Sequence, residues 1–291
     1  MYAEMLQFLV SGITVGAVYA LVAFGFTLIY NCSGVINFAQ GEFVMIGGMV
    51  TAFLYSAGLP LAAASTVAIV VAIVAGLALY YLAVRPAKTS SVVNIIIVTI
   101  GASILIRGIA GIAFDKQFHG FPTFNDEKPI AFFGATVQSQ AVWVVAGAIA
   151  IVIAMFAFLR MTTLGKAVLA TAANIVGAQL VGISVGIIFA LCFAASAAIG
   201  ALAGILITPI TLTSYDVGIA LALKGFAAAV LGGIGSPIGA VVGGLAIGVF
   251  ESLGAGYISS AYKEAFAFIA IIVILLVWPD GLLGSKVPKR V

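Results

Sequence analysis

Hydrophobic residues run along this chain in long blocks that polar residues only interrupt. No Asp, Glu, Lys or Arg occurs in 5–41, 43–84, 129–159, 167–215 or 225–250. A membrane-crossing helix needs ~20 predominantly apolar residues, so several of these windows hold two segments. The blocks are continuous, whereas a transmembrane barrel strand is only ~10 residues of alternating polarity. The pattern therefore predicts an all-α, polytopic transmembrane helical bundle. Nine hydrophobic segments are read at 5–30, 37–56, 60–83, 92–114, 141–159, 183–207, 218–234, 238–254 and 264–283. Turn-formers such as Asn31–Gly34, Gly58–Pro60 and Gly235–Pro237 separate them. The glycines Gly232, Gly233 and Gly235 before Pro237 leave a second count open, in which 218–254 is a broken pair and eight spans remain.

Composition narrows the class. The chain is 64% hydrophobic and 7% charged, against about 25% charged in a soluble domain. Its mean hydropathy is +1.31. So few polar groups cannot cover the surface of a water-soluble fold. A soluble enzyme, a nucleic-acid-binding domain and a disordered chain are excluded, and the lipid bilayer is the first partner. The whole of 1–291 reads as one transmembrane domain. The first hydrophobic run has no basic region before it and continues into further apolar sequence, unlike a cleavable signal peptide.

Charge distribution predicts an orientation. If the 85–91 loop, the 160–182 loop and the C-terminus share a side, it collects Arg85, Lys88, Arg160, Lys166, Lys286, Lys289 and Arg290. The other side holds Lys116, Lys128 and Lys263 beside six acids. Cations concentrate in cytoplasmic loops, which puts the C-terminus inside and the N-terminus outside. Nine crossings agree with that placement.

Four charges remain at membrane depth: Glu42, Arg107, Lys224 and Glu251. Each must face protein or a wet cavity. For Arg107 and Lys224, snorkelling or an ion pair is the expected role. Glu251 lies toward the outer end of its segment. Glu42 needs something to satisfy it, and Lys224 and Arg107 are the only cations at comparable depth. Asn37, Gln40 and Glu42, with Tyr30 before them, are the candidate lining of a substrate pathway.

The catalytic search is nearly empty. Gly182-Ile183-Ser184-Val185-Gly186 matches G-x-S-x-G by letters, but Ser184 opens a hydrophobic helix and the one histidine, His119, lies in a distant loop. There is no H-E-x-x-H, and Lys166 has Arg160 where a P-loop needs its first glycine. The chain therefore reads as no enzyme, with no metal and no cofactor of its own. Cys32 and Cys192 read as buried free thiols. Small residues four apart, at Gly12/Gly16, Ser196/Gly200/Gly204, Gly239/Gly243 and Gly244/Gly248, predict close helix packing.

The 160–182 loop is too long for a turn and too polar for a span. Its Ala-rich centre favours a short helix, with Thr163 as a cap and Gly177 or Gly182 as a stop. Such an element on the inner face suits the docking of a soluble partner, or lies along lipid.

Three stretches carry a resemblance. They are 16–43 (Gly-Ala-Val-Tyr-Ala-Leu-Val-Ala-Phe-Gly-Phe … Gly-Val-Ile-Asn-Phe-Ala-Gln-Gly-Glu-Phe), 224–254 (opening Lys-Gly-Phe … Leu-Gly-Gly-Ile-Gly-Ser-Pro-Ile-Gly) and Pro279-Asp280-Gly281-Leu282-Leu283-Gly284. In order, they resemble LivH-type permeases, the inner-membrane subunits of branched-chain amino acid ABC importers. Gly165, Lys166, Ala170, Asn174, Ala178 and Gly182 resemble that family's ATPase-docking loop, though Leu169 stands where a second basic residue is usual; outside the loop, Gln40 stands where family members often have His. The resemblance implies a second, LivM-like permease subunit, two ATP-binding subunits and an extracytoplasmic substrate-binding protein. ATP would be bound by the partners, and related permeases also serve urea, short amides and aromatic acids. The competing reading is an ion-coupled secondary transporter in which Glu42 or Glu251 titrates.

Overall fold

The computed structural model describes residues 2–89, 91–125, 129–132, 135–278 and 281–284. Lys286, Lys289, Arg290, Lys128 and Asp280, on which part of the charge count rests, lie outside them.

Helices occupy every predicted hydrophobic stretch. They are α1 (Tyr2–Ser33), α2 (Gln40–Ser56), α3 (Leu61–Ala78), α4 (Val92–Ala113), α5 (Ser139–Met161), α6 (Thr163–Ala173), α7 (Ile175–Leu180), α8 (Val185–Thr211), α9 (Val217–Gly232), α10 (Pro237–Tyr257) and α11 (Lys263–Val277). A π-helical turn, Leu79–Val84, prolongs α3. By length and composition, six of the described helices can cross a membrane: α1, α3 with its π turn, α4, α5, α8 and α10. At 17, 16 and 15 residues, α2, α9 and α11 are shorter. The coarse class is as expected, with one addition: the 114–138 loop holds a small hairpin pairing β1 (Ile130–Phe132) with β2 (Ala135–Val137).

Helix α1 is the axis of the bundle. Leu21, Val22 and Ala23 have no exposed surface, and α10, α8, α9 and α5 pack around it. The antiparallel α1–α10 crossing is set by glycine. A Cβ on Gly12 would lie 2.8 Å from the Val249 Cα, and one on Gly248 would collide with the backbones of Gly12 and Gly16. Ser196, Gly200 and Gly204 do the same for α2, where a Cβ on Gly200 would lie 2.8 Å from Phe43 Cβ. Gly239 and Gly243 close the α9–α10 hairpin against Gly232 and Ala228. All the small-residue pairs therefore serve packing within one chain.

The connecting segments gather at two ends of the bundle. Tyr80 packs on Phe189 and Phe193 of α8, which brings the 85–91 loop beside the start of α8. Asn31 Nδ2 donates to the Gly235 carbonyl at 2.9 Å. Leu282 and Leu283 N–H groups donate to the Leu231 and Gly232 carbonyls at 2.8 and 3.0 Å, so the closing Gly281–Gly284 stretch satisfies the last turn of α9. At the other end, His119 pairs in a β-bridge with Thr213, and the Gln7 side chain exchanges two 2.8 Å hydrogen bonds with Thr136. Cys32 and Cys192 are buried free thiols between α1 and α8, and Cys192 Sγ donates to Cys32 Sγ at 2.6 Å.

Overpacking of a close crossing costs about 1–3 kcal/mol. Gly248→Val should lower the thermal midpoint of the detergent-solubilised protein, whereas Gly101→Ala, where a Cβ meets nothing within 4 Å, should leave it unchanged or raise it. An unshifted midpoint for Gly248→Val would contradict the α1–α10 account.

Candidate translocation site

The polar residues singled out in 37–42 sit where the chain leaves the helical path. Helix α1 stops at Ser33, and residues 34–39 turn back into the bundle rather than continuing as a span from 37. Asn37 Oδ1 accepts from the Ala39 N–H at 3.1 Å, tightening that turn. Gln40, the first residue of α2, is deep inside: its Nε2 donates to the Ser196 carbonyl at 3.2 Å. The Ser196 hydroxyl lies 2.6 Å from Gln40 Oε1 and 2.9 Å from the Gly25 carbonyl. Its single proton serves one of them at a time. Gly41 abuts Gly218 and Ala222 of α9. Two short helices thus begin inside the bundle, side by side.

Glu42 lies in the first turn of α2 against the first turn of α9. A helix N-terminus favours negative charge. Ser103 of α4 donates to Glu42 Oε1 at 2.7 Å, and Arg107, one turn along the same helix, acts on it through space while Asp216 repels it. Glu42 Oε2 and Asn37 Nδ2 are buried with no hydrogen-bond partner among the described residues. Asn37, Gln40 and Glu42 are at most 1% exposed, so they line no open channel in this conformation. Tyr30 is half-buried near the end of α1, beside Gly235.

Lys224 does not serve Glu42. It lies six residues beyond Gly218 on α9 and faces α10 and α1. Its Nζ is 2.9 Å from Glu251 Oε1 and 3.2 Å from the Tyr19 hydroxyl, which itself donates to Glu251 Oε2 at 3.0 Å. Lys263, half-exposed, also approaches Glu251 Oε1, at 3.4 Å. Of the two candidate cations for Glu42, only Arg107 remains. Sequence reasoning missed Ser103 and the part played by Tyr19. The spacing Ser103–Arg107, four apart on one helix face, was the available signal for the first.

A cavity of about 180 Å³ reaches this cluster between α1, α2, α8 and α9. Tyr19, Lys224 and Lys263 are among its lining residues, and Val18, Ile207 and Leu221 form apolar wall. It lies in the half of the bundle away from the 160–182 region.

That region forms two helices, not one. Thr162, rather than Thr163, caps α6, accepting from the Gly165 N–H at 2.9 Å. Asn174, extended at φ −158, ends α6 and caps α7 through the Gly177 N–H at 2.9 Å. Gly182, at φ +85, makes the stop; Gly177 does not. Gly165 is buried against the carbonyl of Phe158, its own chain, and Ala178 is buried too. Lys166, Ala170 and Asn174 are exposed, as are Leu164, Val176, Leu180 and Val181. Ser184 directly precedes α8 and follows α7, at the opposite end from His119, so the G-x-S-x-G letters form no strand-to-helix elbow.

Residues 8–275 match the family model described as the branched-chain amino acid transport system permease component. The chain belongs to that permease family. It is 35% identical to the high-affinity branched-chain amino acid transport system permease protein LivH of Escherichia coli K12, over 100% of this chain and 99% of that protein. It is 32% identical to BraD of Pseudomonas aeruginosa, a protein of the same description, over 98% of each. It is 26% identical to the ribose import permease protein RbsC of Haemophilus influenzae, over 93% of this chain and 84% of that protein. In fold it matches PsaBC from Streptococcus pneumoniae in complex with Fab, with a TM-score of 0.54 at 14% identity, covering 98% of this chain and 97% of that one. In this permease family member the buried Lys224–Glu251 pair and the α2–α9 junction are therefore parts of a transport subunit.

Removing one partner of a buried ion pair costs about 3–5 kcal/mol, because the other is left uncompensated. Lys224→Met should sharply lower the yield of folded protein, and adding Glu251→Met should restore part of it. The deficit of Glu42→Gln should be eased by Arg107→Met and not by Lys224→Met. Yield by size-exclusion chromatography reads both, and rescue of Glu42→Gln by Lys224→Met would overturn this pairing.

Proposed function

We propose that the chain is the membrane permease subunit of an ABC importer that carries branched-chain amino acids across the inner membrane, driven by ATP hydrolysis in partner subunits. The observation that carries this is the family match across nearly the whole chain, supported by full-length likeness to relatives named as branched-chain amino acid permeases. The chain forms one permease domain that binds no cofactor and has no ATPase chemistry of its own. It works with a second, LivM-like permease subunit, two ATP-binding subunits and an extracytoplasmic binding protein that delivers the substrate. The N-terminus is outside and the C-terminus in the cytoplasm, with nine crossings in which α2, α9 and α11 are the short members. The grouping of the 85–91 loop, α6–α7 and the closing stretch at one end supports this orientation.

Helices α6 and α7 are the ATPase-docking element. Lys166 supplies the charged contact, and the exposed Leu180 and Val181 at the end of α7 supply apolar ones. Gly165 and Ala178 hold the element on α5 and α8, and Gly182 sets its exit. Movement of the ATPases would push α6–α7 as a unit, because Thr162 and Asn174 tie both helix starts into the chain. Asn37, Gln40 and Glu42 line the pathway once the α2–α9 junction opens, and Arg107 compensates Glu42 there.

The decisive measurement is uptake in proteoliposomes. ATP-dependent leucine uptake that requires all partner subunits is the expected result. Uptake that follows a pH gradient with this chain alone would replace the importer by an ion-coupled carrier. Leu180→Glu, and separately Ala173→Glu, should abolish coupled uptake or ATPase copurification without loss of the permease from the membrane; normal behaviour of both refutes docking there. Labelling of single cysteines from outside should reach positions 120 and 258 and miss position 88, and labelling at 88 would reverse the orientation.

A further inference from the structure

Among the described residues, two other than glycine have positive φ, Asp115 at 64° and Leu212 at 58°. They lie on two segments that are bonded to each other. Aspartate enters this region readily because its side chain bonds locally, here to the Gln117 N–H at 2.7 Å. Leucine has no such means. With ψ at 176°, Leu212 occupies a region nearly reserved for glycine, and such a residue persists only where its surroundings hold it. On one side the Leu212 N–H donates to the Thr208 carbonyl at 2.9 Å, at the end of α8. On the other, Thr213 exchanges two 2.8 Å backbone hydrogen bonds with His119. The Leu212 side chain lies on Gly120, where a Cβ would meet it at 2.6 Å.

The 114–124 strap that supplies this bridge is anchored at both ends. Phe114 packs edge-on against Phe53 of α2, with ring centroids 5.3 Å apart. The Phe124 N–H donates to the Gln140 side chain of α5 at 3.1 Å, and Gln140 donates to the Leu206 carbonyl at 2.9 Å. The 212–216 segment lies beneath the strap. Thr213 and Ser214 are buried, Thr213 faces Gly48 of α2, and Tyr215 rests on Gly111 of α4. Thr211, Leu212 and Thr213 are part of the wall of the 180 Å³ cavity. Two residues beyond Asp216, Gly218 abuts the Glu42 carboxylate. The segment therefore stands between the strap and both the cavity and the α2–α9 junction.

We propose that 212–216 is a gate over the cavity and that the His119–Thr213 bridge is its latch. While closed, the bridge holds Leu212 in its strained conformation. When it breaks, Leu212 returns to ordinary backbone angles, which offsets part of the loss of two hydrogen bonds, and the segment leaves Gly48. The anchored strap stays in place. The use of the gate in transport rests on the permease reading, and the latch stands without it.

The test uses the complex assembled with its partner subunits, in a Cys32→Ala/Cys192→Ala background. Thr213→Cys, and separately Ser214→Cys, report opening through their labelling rate by a water-soluble maleimide in nanodiscs, where both faces meet the reagent. Labelling should be slow at rest and rise severalfold during ATP turnover; a rate that turnover leaves unchanged at both positions overturns the gate. Leu212→Ala and Leu212→Gly both remove the packing on Gly120, but only glycine removes the strain. The Leu212→Gly complex should therefore label about fivefold more slowly at rest, or slower still, than the Leu212→Ala complex. Equal rates overturn the latch. In proteoliposomes, joining His119→Cys to Thr213→Cys with a short bis-methanethiosulfonate should abolish leucine uptake, and dithiothreitol should restore it. Uptake that survives the link overturns the gate. If the unlinked parent complex takes up no leucine either, the import reading fails, and the Leu212→Gly and Leu212→Ala labelling rates decide the latch by themselves.

Discussion

Helices in a bilayer gain nothing from hiding apolar surface from one another, since lipid is as apolar as leucine. What holds this bundle together is the closeness of its backbones, and that depends on residues without side chains at the crossings. The α1–α10 contact is the central case. Gly12 and Gly16 face Gly244 and Gly248, so two long helices meet backbone to backbone. Dispersion falls away steeply with distance, and a single added methyl group at this crossing would separate many atom pairs at once. The position of α10 follows from that contact. Through the hairpin at Gly232–Gly239 the position of α9 follows as well, and with α9 the location of Lys224.

The same medium forbids unsatisfied charge, and the chain meets this in two ways. Around Glu251 of α10 it gathers two lysines, Lys224 on α9 and Lys263 at the start of α11, and the Tyr19 hydroxyl of α1. Around Glu42 it uses weaker and more distributed means: one hydroxyl, two helix N-termini and a guanidinium acting through space. The first arrangement is short-range and specific in geometry. The second leaves Glu42 Oε2 and Asn37 Nδ2 buried without partners among the described residues, at a junction where two helices merely abut. Buried polar groups are nearly always paired, and these two atoms are exceptions among the described residues, as are the Thr27 and Thr51 hydroxyls.

Much of this was legible in the primary structure, and the reasons differ from element to element. Long uncharged runs mark helices because a bilayer admits no other cheap backbone solution. The pairs of small residues four apart were visible, and each found its partner within the chain. What the pattern could not reveal was depth. The stretch 37–56 reads as one span, yet 34–39 is unwound and α2 starts beside the middle of α1, because Asn37 and the Gln40–Ser196 contact satisfy the backbone there. The counter-ion of Glu42 stayed open between Lys224 and Arg107 for a related reason. Both lie at a suitable depth, and the choice is made by which face of α9 points at α10. Likewise the sequence points to Thr163 as the cap, and the crossing of α5 and α6 at Gly165 gives that role to Thr162.

Those differences bear on how a subunit with so few polar groups can move a polar solute. A channel permanently lined with polar side chains would have to keep them satisfied when empty, and this chain has few to spend. Instead the polar groups are kept in local bonds near helix starts: Asn37 in its own turn, Gln40 with Ser196, and Lys224 with Glu251. Each bond is individually worth only about 0.5–3 kcal/mol net, within reach of what a bound solute can replace. The long helices α1, α8 and α10, locked by glycine contacts, cannot shift without losing many atom pairs together. The short helices α2 and α9 begin inside the bundle, where Gly41 and Glu42 pack against Gly218 and Ala222. Glycine contacts hold these two as well, α2 on α8 through Gly47 and Gly204 and α9 on α10 through Gly232 and Gly243. The buried carboxylate of Glu42 stands at the point where their first turns meet.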